Sequence, residues 1–592
     1  MAAQAPPAEQ FRTCTVTEFR VERSGANLAL ANAVAAVVLL AAGGLMALLI
    51  ALQRQGIVPL SNDWWYRLVS AHGATMLLFW LLFFEVAALY WGSTMLLNAR
   101  MRAPRVAWGV FGLMVAGVAL VQWTTFTGRS TVMFTAYPPL EASPLYYLGV
   151  LMFAVGVLLA CGLFFANVIG AGRERTYDGS LPLVVYGLAT AAIIAVYSLL
   201  TGAVAYGLVF LRSLGVIETV DPAVYRMFFW GIGHGAQQVN LAAMVAVWYA
   251  LIALTTGGRT ISESLSRVAF LLLLAFIHLG AVHHLLVDPG LGTSHRLMNT
   301  SYLLYLAVLA SLIHAFCIPS AIEVAQRERG FGRGLFTWLI RAPWKEPGFS
   351  ALVLSISFFG FVAGVTGVLM STMHLNMLIH NTLFVPGHFH ATVVSGTTLA
   401  FMGIAYYLVP ILSRRSLVGV GVARLQPYVF GGGVALLSLA MIRAGQLGVP
   451  RRVADLGYEG TVLPVDTFQQ PQAELSMLLV TVGAVLAVIG GAMFIYVMVA
   501  TLLTGKISDR PLGTLALAFG PQAVEGRVRA EAPIAADGHT GLDADHEPHA
   551  RRTRFANFEA PGTVVLVGIF LAWFILMYLL AHFNISRVWP VG

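Results

Sequence analysis

Charge is scarce in this sequence: Lys, Arg, Asp and Glu make up 10% of the 592 residues, against 58% hydrophobic residues. A soluble chain carries about 25% charged residues to solvate its surface. The shortfall coincides with repeated apolar runs longer than about 18 residues, the length that crosses the hydrocarbon of a bilayer. Lipid is therefore the expected solvent. Cysteine is nearly missing as well. Cys14, Cys161 and Cys317 lie far apart, which excludes a disulfide framework and a zinc or iron–sulfur site built on cysteine spacing. The first 25 residues hold no apolar h-region, so no cleavable signal peptide is expected. The first apolar run, from about Asn27, is expected to serve as the targeting signal. No internal repeat is visible. The net charge of +8 does not point to nucleic acid, because the basic residues sit in short loops between apolar runs.

Thirteen spans are expected, at 27–53, 67–97, 106–126, 145–171, 181–212, 222–254, 264–286, 298–318, 348–371, 377–412, 425–448, 474–505 and 562–583. Open strands cannot satisfy their backbone in lipid and a barrel would show short alternating segments, so the fold class is an all-α polytopic membrane protein. Basic residues follow the even spans: Arg100, Arg102 and Arg105; Arg173 and Arg175; Arg259; Arg327, Arg329, Arg333, Arg341 and Lys345; Arg414, Arg415 and Arg424; and Lys506 through Arg554. The odd loops are poor in them apart from Arg451 and Arg452. The positive-inside rule then puts the N-terminus in the cytoplasm and the C-terminus outside. The chain divides into a cytoplasmic segment 1–26, a twelve-helix core 27–504, a polar cytoplasmic loop 505–561, and a thirteenth helix with the outer C-terminus, 562–592. Glu531 to His549 is rich in Asp, Glu, Pro and His and reads as a solvated linker. His539, His546 and His549 could alternatively form a weak metal tract.

Six of the fifteen histidines form a constellation: His72, His234, His283, His284, His388 and His390. Ionisable groups inside a membrane are costly and mark function, and imidazole is a common ligand for heme iron and copper. His72 falls about 5 residues into span 2, His234 about 12 into span 6 and His388 about 11 into span 10, depths of about 8 to 18 Å below the outer surface. His283 and His284 fall at the outer end of span 7, which runs the other way. All six therefore share one layer, which scattered core histidines bridging helices would not. His388 and His390 are two residues apart and point about 200° apart on a helix. They cannot share a metal, but they can hold two irons on opposite faces. His283 and His284 can both turn toward one ion near a fraying helix end, with His234 as a third ligand and one coordination position open to substrate.

The string Leu383-Phe-Val-Pro-Gly-His-Phe-His390 closely resembles the span-10 signature of heme–copper oxidase subunit I. Gly233-His234, His283-His284 and Ser70-Ala-His-Gly73 follow in the family's order, and the resemblance covers nearly the whole chain. It is closest to the B-type oxidases, which also have thirteen spans. The resemblance implies a low-spin heme held axially by His72 and His390, a high-spin heme on His388, and a copper ion on His234, His283 and His284. It implies that Arg451 and Arg452 grip heme propionates, a role that suits the bidentate guanidinium, and that His380 lies near the propionates of the high-spin heme. Asn376 stands where B-type relatives usually carry an acid.

One departure bears on the substrate. In the A- and B-type oxidases a tyrosine one turn after the first copper histidine supplies an electron and a proton as the O–O bond breaks. Here that position is Gln238. C-type oxidases place the tyrosine on span 7, where this chain reads Phe276-Ile277-His278. Reduction of NO to N2O needs no such donor, and bacterial nitric oxide reductases carry a glutamate at the position of Gln238. The favoured expectation is therefore NO reduction, with O2 reduction to water as the alternative. A nonredox transporter or heme carrier is disfavoured by the complete ligand set. Glu85, in the middle of span 2, is a candidate for a proton path, beside the reading of a neutral structural acid. Tyr249 resembles a residue of the B-type proton channel, and an interfacial aromatic explains it equally well. The chain has neither a CxxCH motif nor the cysteines of a dinuclear copper centre. Electrons are thus expected from cytochrome c or a cupredoxin through a subunit II-like partner.

Overall fold

The structure is a computed structural model that describes residues 11–14, 20–177, 179–454, 471–508, 511–512 and 560–588. The histidines His539, His546 and His549, and most of the 505–561 segment, lie outside the described residues. A short antiparallel hairpin, β1 (Phe11–Thr13) with β2 (Arg20–Glu22), leads into the first helix. Glu22 then caps that helix, accepting from the backbone N–H of Ser24 and Gly25 at 3.1 and 2.6 Å.

Everything else among the described residues is helical or loop. In chain order the long helices are α1 (Arg23–Arg54), α2 (Asn62–Thr94), α3 (Pro104–Phe126), α4 (Pro144–Glu174), α5 (Leu183–Ser213), α6 (Pro222–Thr256) and α7 (Glu263–Ile277). They continue with α8 (Leu304–Glu328), α9 (Pro347–Ser371), α10 (Phe384–Ser413), α11 (Val420–Gln446), α12 (Pro471–Thr504) and α13 (Pro561–Val588). Twelve of these are long and apolar enough to cross a membrane. The exception is α7, only 15 residues of α-helix before the backbone tightens into a 3₁₀ stretch, His278–Leu285. Because a 3₁₀ turn rises about 2.0 Å per residue against 1.5 Å, the two pieces together still reach roughly 38 Å.

The three most enclosed spans are α2, α6 and α10, with 83%, 89% and 89% of their apolar windows buried. These are the helices that carry His72, His234 and the His388/His390 pair. Close approach of backbones sets their neighbours. A Cβ on Gly445 of α11 would stand 1.9 Å from the Phe384 nitrogen, and one on Gly387 would stand 2.8 Å from the Ile442 nitrogen. Glycine at both positions therefore lets the start of α10 lie directly on α11, four residues or fewer from His388. Small residues serve membrane helix packing in this way in general.

Span 10 differs from expectation. The apolar run 377–412 is not one helix: a short helix, Met373–Ile379, ends in a turn, and α10 begins at Phe384. The break is tertiary in origin. The Leu383 N–H donates to the Val449 carbonyl at 2.8 Å, and Thr382 pairs with Pro450 as an isolated bridge. His388 thus lies only four residues into its helix rather than about eleven.

The last helix is docked through one buried acid. Glu323, near the end of α8, accepts from the Gly562 N–H (2.9 Å), the Thr563 N–H (2.6 Å) and the Thr563 hydroxyl (2.8 Å), and pairs with Arg327 at 2.7 Å. It caps the N-terminus of α13 from another helix. Glu323→Ala should cost about 2 kcal/mol or more, since it strands two buried N–H donors. The measurement is a thermal unfolding midpoint in detergent, with Glu323→Gln expected to fall between. An unchanged midpoint in the alanine variant would remove the cap from its role.

Candidate metal centre

A largely apolar cavity of about 600 Å3 runs through the bundle, and all six histidines of the constellation line it, together with Gln238, Arg451 and Arg452. Each of the three heme-ligand candidates has its Nδ1 fixed. His72 Nδ1 donates to the Gly43 carbonyl of α1 at 3.0 Å, and His390 Nδ1 donates to the Pro386 carbonyl one turn back at 2.7 Å. His388 Nδ1 lies 2.9 Å from the Thr366 hydroxyl of α9. Gly367 keeps room beside that ring, because a Cβ there would come within 3.2 Å of His388 Cε1. A proton held on Nδ1 leaves the Nε2 lone pair for a metal, the usual arrangement around a ligating histidine. The two rings of the HxH are anchored on different elements, as their spacing requires.

His234, His283 and His284 come together. One ring nitrogen from each lies within 4.8 Å of the others. The ring centroids are 4.6 Å apart for His234 and His283, 5.3 Å for His234 and His284, and 4.1 Å for His283 and His284. The 3₁₀ backbone, rather than a frayed end, brings the adjacent pair into one set. Three imidazoles with no carboxylate among them are a donor set that suits copper. Asn376 donates to the His283 carbonyl at 3.3 Å and to the Met370 carbonyl at 2.5 Å, tying the short helix before α10 to the copper candidates.

Arg451 and Arg452 follow α11 and have no carboxylate within ion-pair distance among the described residues. Burial, and then the neighbouring charge of Arg452, lower Arg451 to about 9; burial lowers Arg452 too. The Arg451 Nε has no hydrogen-bond partner. Two half-buried cations with no carboxylate partner among the described residues, one of them with an unused Nε, fit an anionic ligand such as a pair of heme propionates. His380 does not line the cavity. It lies in the turn before α10, where burial and the charges of Arg451, Arg226 and Arg452 push it down to about 3, so it is neutral at physiological pH.

Several residues that sequence reasoning passed over complete the site. Trp230, one turn before His234, stacks face to face on His284 with ring centroids 3.8 Å apart and parallel planes. Its indole N–H donates to the Tyr137 hydroxyl at 2.7 Å. Tyr137 comes from the loop between α3 and α4 and is flanked by the guanidiniums of Arg226 (4.2 Å from the ring) and Arg452 (5.6 Å). Burial raises its phenol pKa, and the charges of Arg226, Arg452 and Arg451 oppose that rise. The only sequence signal was the four-residue spacing of Trp230 from His234; nothing in the sequence marked Tyr137.

The two proton-path candidates differ in setting. Tyr249 lies on a buried chain: its hydroxyl is 3.0 Å from the Ser266 hydroxyl and 3.0 Å from His314 Nδ1, and Ser266 meets Thr260 at 2.9 Å. His314 on α8 in turn lines the main cavity, and its Nε2 has no partner. Glu85 stands apart. Both of its oxygens lack hydrogen bonds, and it borders a separate void of about 10 Å3 whose other lining residues are apolar except Cys161. Such a void has room for one water at most.

Comparison with known proteins agrees with this geometry. Residues 27–486 match the family described as cytochrome C and quinol oxidase polypeptide I. The chain is 30% identical over 430 residues to cytochrome c oxidase subunit 1 of Thermus thermophilus, covering 70% of this chain and 72% of that one. It is 24% identical over 414 residues to cytochrome c oxidase subunit 1 of a Synechocystis species, covering 66% and 69%. A solved cryo-EM structure of a heme–copper terminal oxidase dimer superposes with a TM-score of 0.76 at 25% identity, over 92% of this chain and 100% of that one. A profile match spanning most of the chain, an aligned relative at this identity and a cavity lined by six histidines converge on one assignment: the chain belongs to the cytochrome c and quinol oxidase polypeptide I family, multi-pass membrane heme–copper oxidoreductases that carry two hemes and a copper ion.

Proposed function

We propose that this chain is the catalytic subunit of a cytochrome c oxidase that reduces O2 to water, in which His72 and His390 would hold the low-spin heme, His388 the high-spin heme, and His234, His283 and His284 the copper. The observation that carries the reading is the lining of one cavity by all six imidazoles. The relatives from Thermus and Synechocystis are named cytochrome c oxidases, which favours O2 over the expected NO reduction. That expectation rested on the absence of a tyrosine both at Gln238 and on span 7, and on the glutamate that nitric oxide reductases carry at the position of Gln238.

When bound, the hemes and copper supply electron transfer and gas binding. The chain's own residues orient them, exclude water and move protons. Arg451 and Arg452 would hold the propionates by charge-assisted hydrogen bonds. The electron and proton that a tyrosine would give can come from Trp230. Its indole is stacked on a copper ligand, and the N–H of an indole that has lost an electron is acidic. That proton leaves along the 2.7 Å bond to Tyr137, whose own hydroxyl proton moves on in turn, past the flanking arginines. Protons for the reaction enter through Thr260, Ser266, Tyr249 and His314, the hydrogen-bonded chain that ends at the cavity. Glu85, isolated among apolar side chains, is a neutral structural acid in this reading. The N-terminus is cytoplasmic, the histidine layer lies toward the outside, and cytochrome c or a cupredoxin delivers electrons through a subunit II-like chain.

Three measurements test this. Purified enzyme with a chemical reductant should consume O2 with four electrons per molecule and turn over NO only slowly; faster N2O release than O2 uptake would restore the NO reading. His390→Ala should lower heme content from two to one per chain and remove the low-spin absorption, whereas retention of both hemes would break the ligand assignment. Trp230→Phe should slow O2 reduction about tenfold or more at unchanged heme and copper content, and full turnover in that variant would take Trp230 out of the chemistry.

A further inference from the structure

The two nitrogens of the His234 ring face different partners. Nδ1 points into the three-histidine set, 3.3 Å from His284 Nε2. Nε2 points along α6 to Gln238, one turn later, and lies 2.9 Å from the nitrogen of that side-chain amide. The amide oxygen of Gln238, its only acceptor, is buried with no hydrogen-bond partner. These facts conflict once a metal is considered. If the Nδ1 lone pair takes the metal, a neutral imidazole must carry its proton on Nε2 and is a donor there. An amide NH2 is also a donor only. Two donors would then face each other at 2.9 Å, while the one acceptor within reach stays unsatisfied, a costly arrangement in an apolar site.

A half-turn of the terminal amide removes both faults, and the oxygen and nitrogen of a glutamine amide are nearly interchangeable in shape. We propose that in the metal-loaded protein Gln238 presents its Oε1 to the Nε2–H of His234 and is the positioning residue that fixes the tautomer and ring rotation of that copper ligand. Residue 238 then holds the first copper histidine by a hydrogen bond from its outer nitrogen, as carboxylates and carbonyls hold ligating histidines elsewhere. The proposal rests on the copper assignment made above.

The test uses the purified holoenzyme and three variants, with two readouts: copper per heme after dialysis against a chelator, and the infrared stretch of carbon monoxide transferred by light from heme to copper. Gln238→Glu keeps the acceptor and should retain copper with a single narrow carbon monoxide band. Gln238→Leu removes it and should lose copper about tenfold or more faster, with a broadened or split band, at unchanged heme content. Gln238→Leu behaving as wild type in both readouts would overturn the proposal. So would loss of copper in Gln238→Glu, the result expected if the amide nitrogen donates to His234; this comparison stands even if the leucine variant does not fold. His234→Ala separates the two claims: retention of copper there would refute the copper site itself, whereas its loss supports that site and leaves the role of Gln238 to be decided by the other two variants.

Discussion

An imidazole inside an apolar helix bundle presents two nitrogens, and the site depends on what holds the one that does not meet the metal. Left unbonded, that nitrogen would carry a desolvation cost and let the ring rotate. Here each such nitrogen on the heme-side histidines meets an oxygen from the protein: the Gly43 carbonyl for His72, the Pro386 carbonyl for His390 and the Thr366 hydroxyl for His388. Two of these oxygens belong to neighbouring helices, α1 and α9. The directions of the His72 and His388 rings are therefore properties of the packed bundle, since their contacts exist only when the helices are in place, whereas the His390 ring is held by its own helix.

The cations obey the same constraint with the sign reversed. Guanidiniums drawn partly out of water without carboxylates are unfavourable in an empty bundle, and Arg451 and Arg452, both half-buried, border the cavity in that condition. An anionic cofactor, such as the propionates of the proposed heme, would complete the pair. The protein also gains from placing Arg452 and Arg226 against Tyr137, where cation–π contact and positive potential stabilise a phenol hydrogen-bonded to the indole stacked on His284.

That six histidines gather around one cavity was legible in the sequence because histidines within apolar runs are rare and their spacing constrains which can share a metal. What was not legible depended on contacts from distant loops or on backbone geometry. Hydropathy reads 377–412 as one span, since the apolar composition continues across Asn381 and Thr382; the break comes from pairing with Val449 and Pro450, some seventy residues away in sequence. Tyr137 lies in a loop whose composition says nothing of where it folds. Gln238 was read as a loss, the absence of a tyrosine, because a sequence shows which group is missing and not what the replacement bonds to. The four-residue spacing of Trp230 from His234 was the only sequence signal for it, and that spacing gains meaning only with the position of His284.

Backbone irregularity gathers at the site. A π-helical turn covers Thr75–Phe79 just after His72, another covers Phe359–Gly364 just before Thr366, a longer one runs from His390 to Thr398, and the copper pair His283 and His284 sits on 3₁₀ backbone. Such departures are tolerated at membrane depth where they are buried in protein or line a cavity, and they often accompany functional positions. The helix that carries His234 is the exception: α6 runs as α-helix from Pro222 to Thr256. Regular geometry matters there because Trp230, His234 and Gln238 are spaced by four, which places them one above another on a single face. The stacking partner of His284, the copper candidate His234 and the amide beside it are thus held in register by one regular element, while the backbone irregularities lie on the helices around it.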